Sequence, residues 1–331
     1  MLVQEHENKT PLLDIQGLKK YYPVKGSLKS FGKAKEHIKA VNDVSFQLYE
    51  GETYGMVGES GCGKSTTGRT ILRLLEPTVG KAIYKNQDIF QLDSRKLRDL
   101  RQEMQMVFQD PYSSLNPRIR IGHILEEPLA IHSIGNKKDR TEMVMNILEK
   151  VGLREDQYYR YPHEFSGGQR QRIGLARALI INPKIVILDE PVSALDVSIQ
   201  SQIINLLKEL QRDLKLTYIF ISHDISVVRH ICDRIGVMYL GKIMEEAPTD
   251  QLFANSKHPY TQALLSAVPQ SNPKYKKERI ILKGDIPSPL SPPSGCVFHT
   301  RCPFVKDICK HQEPIKKEIG DRHFVACHLH S

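Results

Sequence analysis

Apolar and polar positions alternate through "AVNDVSFQLYEGETYGMVGES", residues 40–60, then merge into a buried run that stops at glycine. Alternation with period two places one face of a strand on a core, and the uninterrupted run suits a strand covered on both faces. The first 55 residues therefore read as strands joined by a basic loop. Lys64 to Leu75 reads as a helix with Ile71, Leu72 and Leu75 on its buried face. Residues 79–160 mix short strands ("KAIYKN", "MQMVFQD") with helical segments such as "RTEMVMNILEKVGL". A long helix is predicted from Gly168 to Ile181, closed by "NP". "IVILDE", residues 185–190, is a central strand buried on both faces, as parallel sheets require. The next helix carries Ile199, Ile203, Leu206, Leu210 and Leu214, spaced at four, three, four and four residues. "TYIFISH" is a further core strand, and "RIGVMYLGKIMEEAP" a hairpin around Gly241. After residue 255 the texture changes: prolines at 259, 269, 273, 287, 289, 292 and 293 trace a linker-like path into a cysteine-bearing tail. No internal repeat is present.

Composition narrows this only slightly. With 331 residues, the chain can bury one large core, or one large domain plus an appendage. No apolar run approaches 18 residues, so nothing is expected to span a membrane. The start, "MLVQEHENKTPLLD", lacks the pattern of a signal peptide. A cytosolic setting follows, in which clustered cysteines suggest metal rather than disulfides. The net charge of +9 gathers in Lys25, Lys29, Lys33, Lys35 and Lys39, and in Lys274, Lys276, Lys277, Arg279 and Lys283. Apart from Phe31 and Tyr275, no aromatic residue interleaves with them. Solvated surface fits this charge better than anionic headgroups or phosphate, and both fit better than nucleic acid.

The chemistry starts at "GESGCGKS", Gly58 to Ser65, which matches GxxxxGK(S/T) between a strand and a helix. Gly58, Ser60, Gly61, Cys62 and Gly63 would turn backbone amides toward phosphate, aided by the helix N-terminus that Ser65 and Thr66 open. Lys64 would neutralise β- and γ-phosphate oxygens, and Ser65 would ligate Mg²⁺. In "IVILDEP", Asp189 ends a buried strand, where a carboxylate is costly unless it serves a charge. Asp189 would hold Mg²⁺, and Glu190 is placed to polarise an attacking water. Two such elements define a nucleoside-triphosphatase. A third narrows the class: in "FSGGQRQRIGLARAL", Ser166, Gly167, Gly168 and Gln169 form a second anion-binding helix start. One triphosphate should not need two, so each chain of a dimer would close its second helix start over its partner's nucleotide.

SGGQ between a phosphate loop and an "LDE" strand resembles the ATP-binding-cassette ATPases. The resemblance covers residues 12–255 without a missing motif; Phe165 stands where many members have leucine. It implies an α/β fold: a P-loop NTPase with a RecA-like parallel-sheet core, an antiparallel β subdomain and an α-helical subdomain. It also implies roles. Gln109 in "VFQDP" looks like the glutamine that contacts Mg²⁺ and the attacking water. Asp196 in "SALD" resembles the loop that crosses the dimer interface, and His223 in "ISHD" the histidine that contacts the γ-phosphate. Tyr22 in "KKYYP" is the candidate for stacking on adenine, with Tyr21 the alternative. With Glu190 and His223 both present, the site should hydrolyse ATP.

A soluble cassette protein acting on ribosomes or DNA is the competing class. A single cassette, with about 100 residues between phosphate loop and SGGQ, fits neither pattern. "KHPYTQALLSAVP" and "GDIPSPLSPPSGCVFHTRCPF" resemble the C-terminal extension of dipeptide and oligopeptide importer ATPases, most closely the second of their two ATPase subunits. Relatives in that subfamily carry nickel, glutathione or antimicrobial peptides. The resemblance divides the chain at 1–255 and 256–331. It implies a different second ATPase subunit, two transmembrane permease subunits and, through them, an extracellular peptide-binding protein, with the chain at the cytoplasmic face of the membrane. A permease coupling helix would sit near Gln109 and "DPYSSLNPRIRIG".

Cys296, Cys302, Cys309 and Cys327 are spaced C-x5-C-x6-C-x17-C. Zinc sites usually pair cysteines two to four residues apart, whereas four thiolates can hold a [4Fe-4S] cluster. The resemblance implies such a cluster. Zinc, including a mixed site with His299, His311, His323 or His328, and unliganded thiols remain open. So short a proline-rich tail is expected to bury scarcely any core, leaving metal to supply its folding energy.

Overall fold

The structure, a computed structural model, describes residues 10–24, 36–110, 114–268 and 279–330. The strands are β1 (Leu13–Pro23), β2 (His37–Leu48), β3 (Thr53–Val57), β4 (Val79–Tyr84), β5 (Gln87–Asp88), β6 (Met104–Val107), β7 (Ile185–Asp189), β8 (Thr217–Ser222), β9 (Arg234–Tyr239), β10 (Lys242–Pro248), β11 (Lys317–Gly320) and β12 (His323–Val325). The helices are α1 (Lys64–Ile71), α2 (Ser94–Glu103), α3 (Ile121–Ile131), α4 (Lys137–Lys150), α5 (Gly167–Leu179), α6 (Val197–Leu214), α7 (Ile225–Ile231), α8 (Thr249–Asn255), α9 (Pro259–Ser266) and α10 (Ile308–His311). Two compact units divide them: of the described residues, one holds those within 10–49, 54–90 and 222–330, the other those within 50–53 and 91–221.

In the first unit, β1 lies antiparallel between β2 and β4, giving the order β2–β1–β4–β5. Its inner face buries Leu13, Ile15, Leu18, Val41, Val44 and Leu48. Each side chain so buried stabilises the fold by roughly 1.5–3 kcal/mol. A second sheet in this unit pairs Tyr54–Val57 parallel to Arg234–Val237, and β9 turns back on β10 as the hairpin expected around Gly241. Leu240 and Gly241 both take left-handed backbone, at φ 42° and 78°, which matches the twist a two-residue hairpin turn needs.

The tail departs from expectation. β12 pairs antiparallel with β10, Glu245 opposite Val325, and β11 pairs with β12. Phe298, fully buried, packs its ring 5.3 to 5.5 Å from those of Tyr239, Tyr260 and His258. Cys296, Val297, Cys309, Val325 and Ala326 are buried as well. The tail thus shares the first unit's core instead of depending on metal alone.

In the second unit β6, β7 and β8 run parallel, with every residue of β7 and β8 buried. The helical part packs α3 on α4 and α5 and buries Leu125, Leu129, Val144, Ile147, Leu148, Leu175 and Leu179. On α6 the expected stripe holds for Ile203, Leu206 and Leu210, whereas Ile199 and Leu214, near its ends, are half-buried. The helix expected through Leu75 ends at Ile71, because Arg73 turns left-handed at φ 50°. Among the described residues no helix is long and apolar enough to cross a membrane.

Candidate nucleotide site

In the first unit the loop from Gly58 to Gly63 joins β3 to α1, strand to helix, as its sequence requires. Gly61 and Gly63 take φ of 78° and 107°. Two glycines are held there by packing as much as by backbone angle: a Cβ on Gly58 or Gly63 would stand 2.1 Å from the carbonyl oxygen of Met238 or Ala40. The loop is pinned from outside by the Gly241 amide, which donates to Cys62 O at 2.8 Å, and Asn42 N donates to Gly241 O at 2.8 Å. Lys64 is buried, and its ammonium donates to Gly58 O at 2.8 Å and Glu59 O at 3.1 Å. Burial pushes the Cys62 thiol up, against the pull of Lys64 beside it. Ser60 and Gly61 are exposed at the loop's crest, with Ser65 and Thr66 half-buried in the first turn of α1. An exposed run of amides at a helix start, backed by one ammonium, is an anion cradle.

His223, in the same unit, is exposed between β8 and α7. Ser222 Oγ accepts from Asp224 N at 3.0 Å, and Asp224 caps α7 through Ser226 N at 2.8 Å. Those bonds fix the turn on which His223 stands. Tyr21 and Tyr22 follow a register shift in β1. The Tyr21 hydroxyl donates to Asn42 Oδ1 at 2.6 Å, whereas Tyr22 carries Lys20 Nζ 4.9 Å from its ring centre.

The second unit carries the acidic candidates. Asp189 ends β7 fully buried. Glu190, the next residue, turns left-handed at φ 48°, a conformation that costs a non-glycine residue on the order of 1 kcal/mol. Its amide donates to Ile221 O at 3.0 Å, and its carbonyl accepts from Ser193 Oγ at 3.1 Å. Gln109 Nε2 donates to Glu190 Oε2 at 2.8 Å, joining residues 81 apart. The oxygen donors of Asp189 and Gln109 in this unit are of the kind Mg²⁺ takes, carboxylate and other hard oxygens.

The second helix start is present in this unit. Ser166 caps α5 by accepting from Gln169 N at 3.4 Å, while Gln169 Oε1 accepts from Ser166 N at 3.0 Å. Phe165 is buried, and Gly167 is exposed at the helix end. A Cβ on Gly168 would meet Ile199 at 2.7 Å, so α6 crosses close to this start. Asp196 is the exposed N-cap residue of α6, without a side-chain cap bond.

The four tail cysteines lie in the first unit, Cys296 and Cys309 buried, Cys302 and Cys327 half-buried. They are close enough to act on one another electrically. Burial pushes the Cys296 thiol up to about 11, and charge on Cys327, Cys309 and Cys302 adds to the rise. Cys296 N donates to Cys309 O at 2.8 Å. No group of three or more His, Cys, Asp or Glu among the described residues is arranged to hold a metal ion, so the expected metal centre is not shown. The tail histidines have other neighbours: His323 Nε2 lies 2.7 Å from Glu245 Oε1, His299 Nδ1 2.9 Å from Cys296 O, and His328 Nε2 2.9 Å from Gln312 O. His311 lies on the surface beside Asp307. A mixed Cys/His zinc site gains no support from that arrangement.

Of the basic clusters, Lys25, Lys29, Phe31, Lys33, Lys35, Lys274, Tyr275, Lys276 and Lys277 lie outside the described residues, as do residues 111–113 of the segment assigned to a coupling helix. Sequence reasoning missed that the tail reaches the phosphate loop. Arg301 forms two hydrogen bonds with Glu59 across 242 residues, a separation at which no motif could announce it.

Comparison with known proteins agrees with this geometry. Residues 41–193 match the ABC transporter family model, and residues 244–309 match the model described as oligopeptide/dipeptide transporter, C-terminal region. The chain is 57% identical over 327 residues to the oligopeptide transport ATP-binding protein AppF of Bacillus subtilis, covering 98% of this chain and 99% of the relative. It is 51% identical over 326 residues to the dipeptide transport ATP-binding protein DppF of Haemophilus influenzae, at 98% and 99% coverage. Among solved structures, a dimeric ATP-binding cassette in a post-hydrolysis state bound to ADP and Pi matches with a TM-score of 0.63 and 30% identity, over 72% of this chain and 98% of that one.

Proposed function

We propose a function for a chain that belongs to the ABC transporter family of ATP-binding proteins and carries the oligopeptide/dipeptide C-terminal region: it is the ATP-hydrolysing motor subunit of a membrane importer for oligopeptides or dipeptides. The observation that carries the hydrolytic part is the Glu190 carboxylate, fixed at 2.8 Å by Gln109 beside the buried Asp189. End-to-end similarity to oligopeptide and dipeptide transport proteins supports the cargo.

In this reading the amides of Gly58, Ser60, Gly61, Cys62 and Gly63, with Ser65 and Thr66, bind the β- and γ-phosphates, and Lys64 offsets their charge. Tyr22 stacks on adenine, since the Tyr21 hydroxyl is engaged with Asn42. Glu190 takes the proton of the attacking water, Gln109 orients that water, and His223 contacts the γ-phosphate. Mg²⁺, held by Ser65, Asp189 and Gln109, would supply charge neutralisation on the triphosphate. Ser166, Gly167, Gly168 and Gln169 form the lid over a partner's nucleotide, and Asp196 crosses the dimer interface. Residues 1–255 are the ATPase domain and 256–331 the importer extension.

The partner ATPase is a different chain, and closure of the pair drives two permease subunits, which receive peptide from an extracellular binding protein. That places the chain at the cytoplasmic face of a membrane, attached through the permeases. Cys296, Cys302, Cys309 and Cys327 would hold an iron–sulfur cluster, a reading that rests on four thiols in one tail and not on their present arrangement. Anaerobic purification tests it: iron, sulfide and absorbance near 400 nm are expected, and a colourless protein with stoichiometric zinc overturns it. For the main reading, cells lacking this chain should lose peptide uptake, regained with the wild-type chain but not with Glu190→Gln. Unaltered uptake in the deletion would reject peptide as cargo.

A further inference from the structure

Glu59, inside the phosphate loop, is tied on three sides by groups of the same unit. Its carboxylate accepts from both terminal nitrogens of Arg301, Nη1 to Oε2 at 2.7 Å and Nη2 to Oε1 at 3.1 Å. Its amide donates to the Tyr260 hydroxyl at 3.0 Å, and its carbonyl accepts from Lys64 at 3.1 Å. Both outer partners come from beyond residue 255. Tyr260 is fully buried in α9, and Arg301 has only 8% of its side chain exposed. Arg301 also lies over the Tyr239 ring, 5.8 Å from its centre. That ring packs on Tyr260 and on Phe298, three residues before Arg301. The fork is therefore seated on a rigid aromatic base, and a two-toothed guanidinium–carboxylate pair is directional as well as strong.

A carboxylate is an odd neighbour for a polyphosphate. Left alone, Glu59 would repel the ligand and compete for the ammonium of Lys64. Paired with Arg301, its charge is offset, while Tyr260 and Lys64 hold its backbone. We propose that Arg301 acts on the phosphate loop by neutralising the Glu59 carboxylate beside the phosphate site while Tyr260 holds the Glu59 amide, so that the C-terminal region completes the nucleotide site of the ATPase it follows. This rests on the ATP-binding reading above and adds to it a working part supplied by the tail. It also gives the tail a route to the motor: a change that shifts the Cys296–Cys302 loop moves Arg301, and with it Glu59.

The test is titration of the full chain with MgATP and with MgADP, alongside ATPase kinetics and thermal melting. Arg301→Ala should weaken both nucleotides about tenfold, the worth of a charged hydrogen bond, and raise KM more than it lowers kcat. Arg301→Lys, which keeps charge without the fork, should fall between, and serves if the alanine variant does not fold. The deciding variant is the double Arg301→Ala, Glu59→Gln: with the carboxylate gone, most of the lost affinity should return although the tail contact stays broken. Wild-type affinity in a folded Arg301→Ala or Arg301→Lys protein overturns the proposal. So does a double variant no better than Arg301→Ala, which would mean the pair only holds the tail down. Failure of the wild-type chain to bind either nucleotide would reject the ATP reading instead.

Discussion

A Cβ on Gly63 would stand 2.1 Å from the Ala40 carbonyl oxygen, at a φ of +107°. Neither the loop nor β2 can yield there without losing hydrogen bonds, so Gly63→Ala combines overpacking with backbone strain, together about 3 kcal/mol. ATP affinity should fall about 10²-fold, read by nucleotide titration. Glu190→Gln acts differently. It keeps the shape and a partner for Gln109 but removes the base, so turnover should drop 10²–10⁴-fold with ATP binding retained. Single-turnover hydrolysis and nucleotide binding, measured on one preparation, separate the two effects. Both residues were legible in the sequence because loop and strand motifs are contiguous. The left-handed backbone at Glu190 and its 2.8 Å bond to Gln109 were not, since each depends on where β8 and the segment after β6 run.

Elements show where legibility fades. β7 and β8 are built on the apolar runs IVIL and YIFI, which suit one environment, and they appear as read. β11 and β12 have no such pattern: β12 is a strand because β10 offers it a partner, and β11 because β12 does. The joint is charged. Arg234 and Glu246, both buried, pair at 3.1 Å, and Lys316 from the tail reaches the same carboxylate. Glu246→Gln would leave Arg234 buried without its counter-charge and should cost about 3 kcal/mol, measured by chemical denaturation. Next to it, Glu245 is fully buried. Burial alone would raise its carboxyl, but hydrogen bonds from His323 and from the Lys257 and His258 amides hold it below the usual range.

His258 is held down to about 4, by burial first and by the charge of His330, against the pull of Glu245. Its Nδ1 caps α9 by accepting from Tyr260 N at 3.1 Å, which a proton there would prevent. Below its ordinary pKa of 6.5 the unfolded chain takes up a proton that the folded one refuses, so stability falls with pH down to about 4. Between pH 7 and pH 5 this histidine alone accounts for about 2 kcal/mol. The Glu245 carboxyl acts in the same direction, losing its contribution as pH falls through its lowered value. Denaturation midpoints at the two pH values should differ less in His258→Gln than in the wild type.

For the whole molecule, membership of the ABC transporter family implies a dimeric ATPase, and the two helix starts of one chain suit that pairing if each serves a nucleotide. The Glu190→Gln chain, which should retain ATP, is expected to remain monomeric alone in sedimentation and to form a dimer only with its partner subunit. A tight ATP-dependent homodimer with full activity would refute the paired arrangement.

The sequence by itself determined the chemistry of the ATPase. Phosphate loops, buried acidic strand ends and capped helix starts need particular residues at fixed short spacings, and such spacings survive in one dimension. It also marked the tail as a distinct region through its prolines and clustered thiols. Only the tertiary structure decided how the tail packs. Phe298 in an aromatic pocket, β12 against β10 and Arg301 on Glu59 are contacts between residues 38 to 242 positions apart. Long-range pairing of that kind depends on complementary surfaces meeting in space, and no local pattern encodes it.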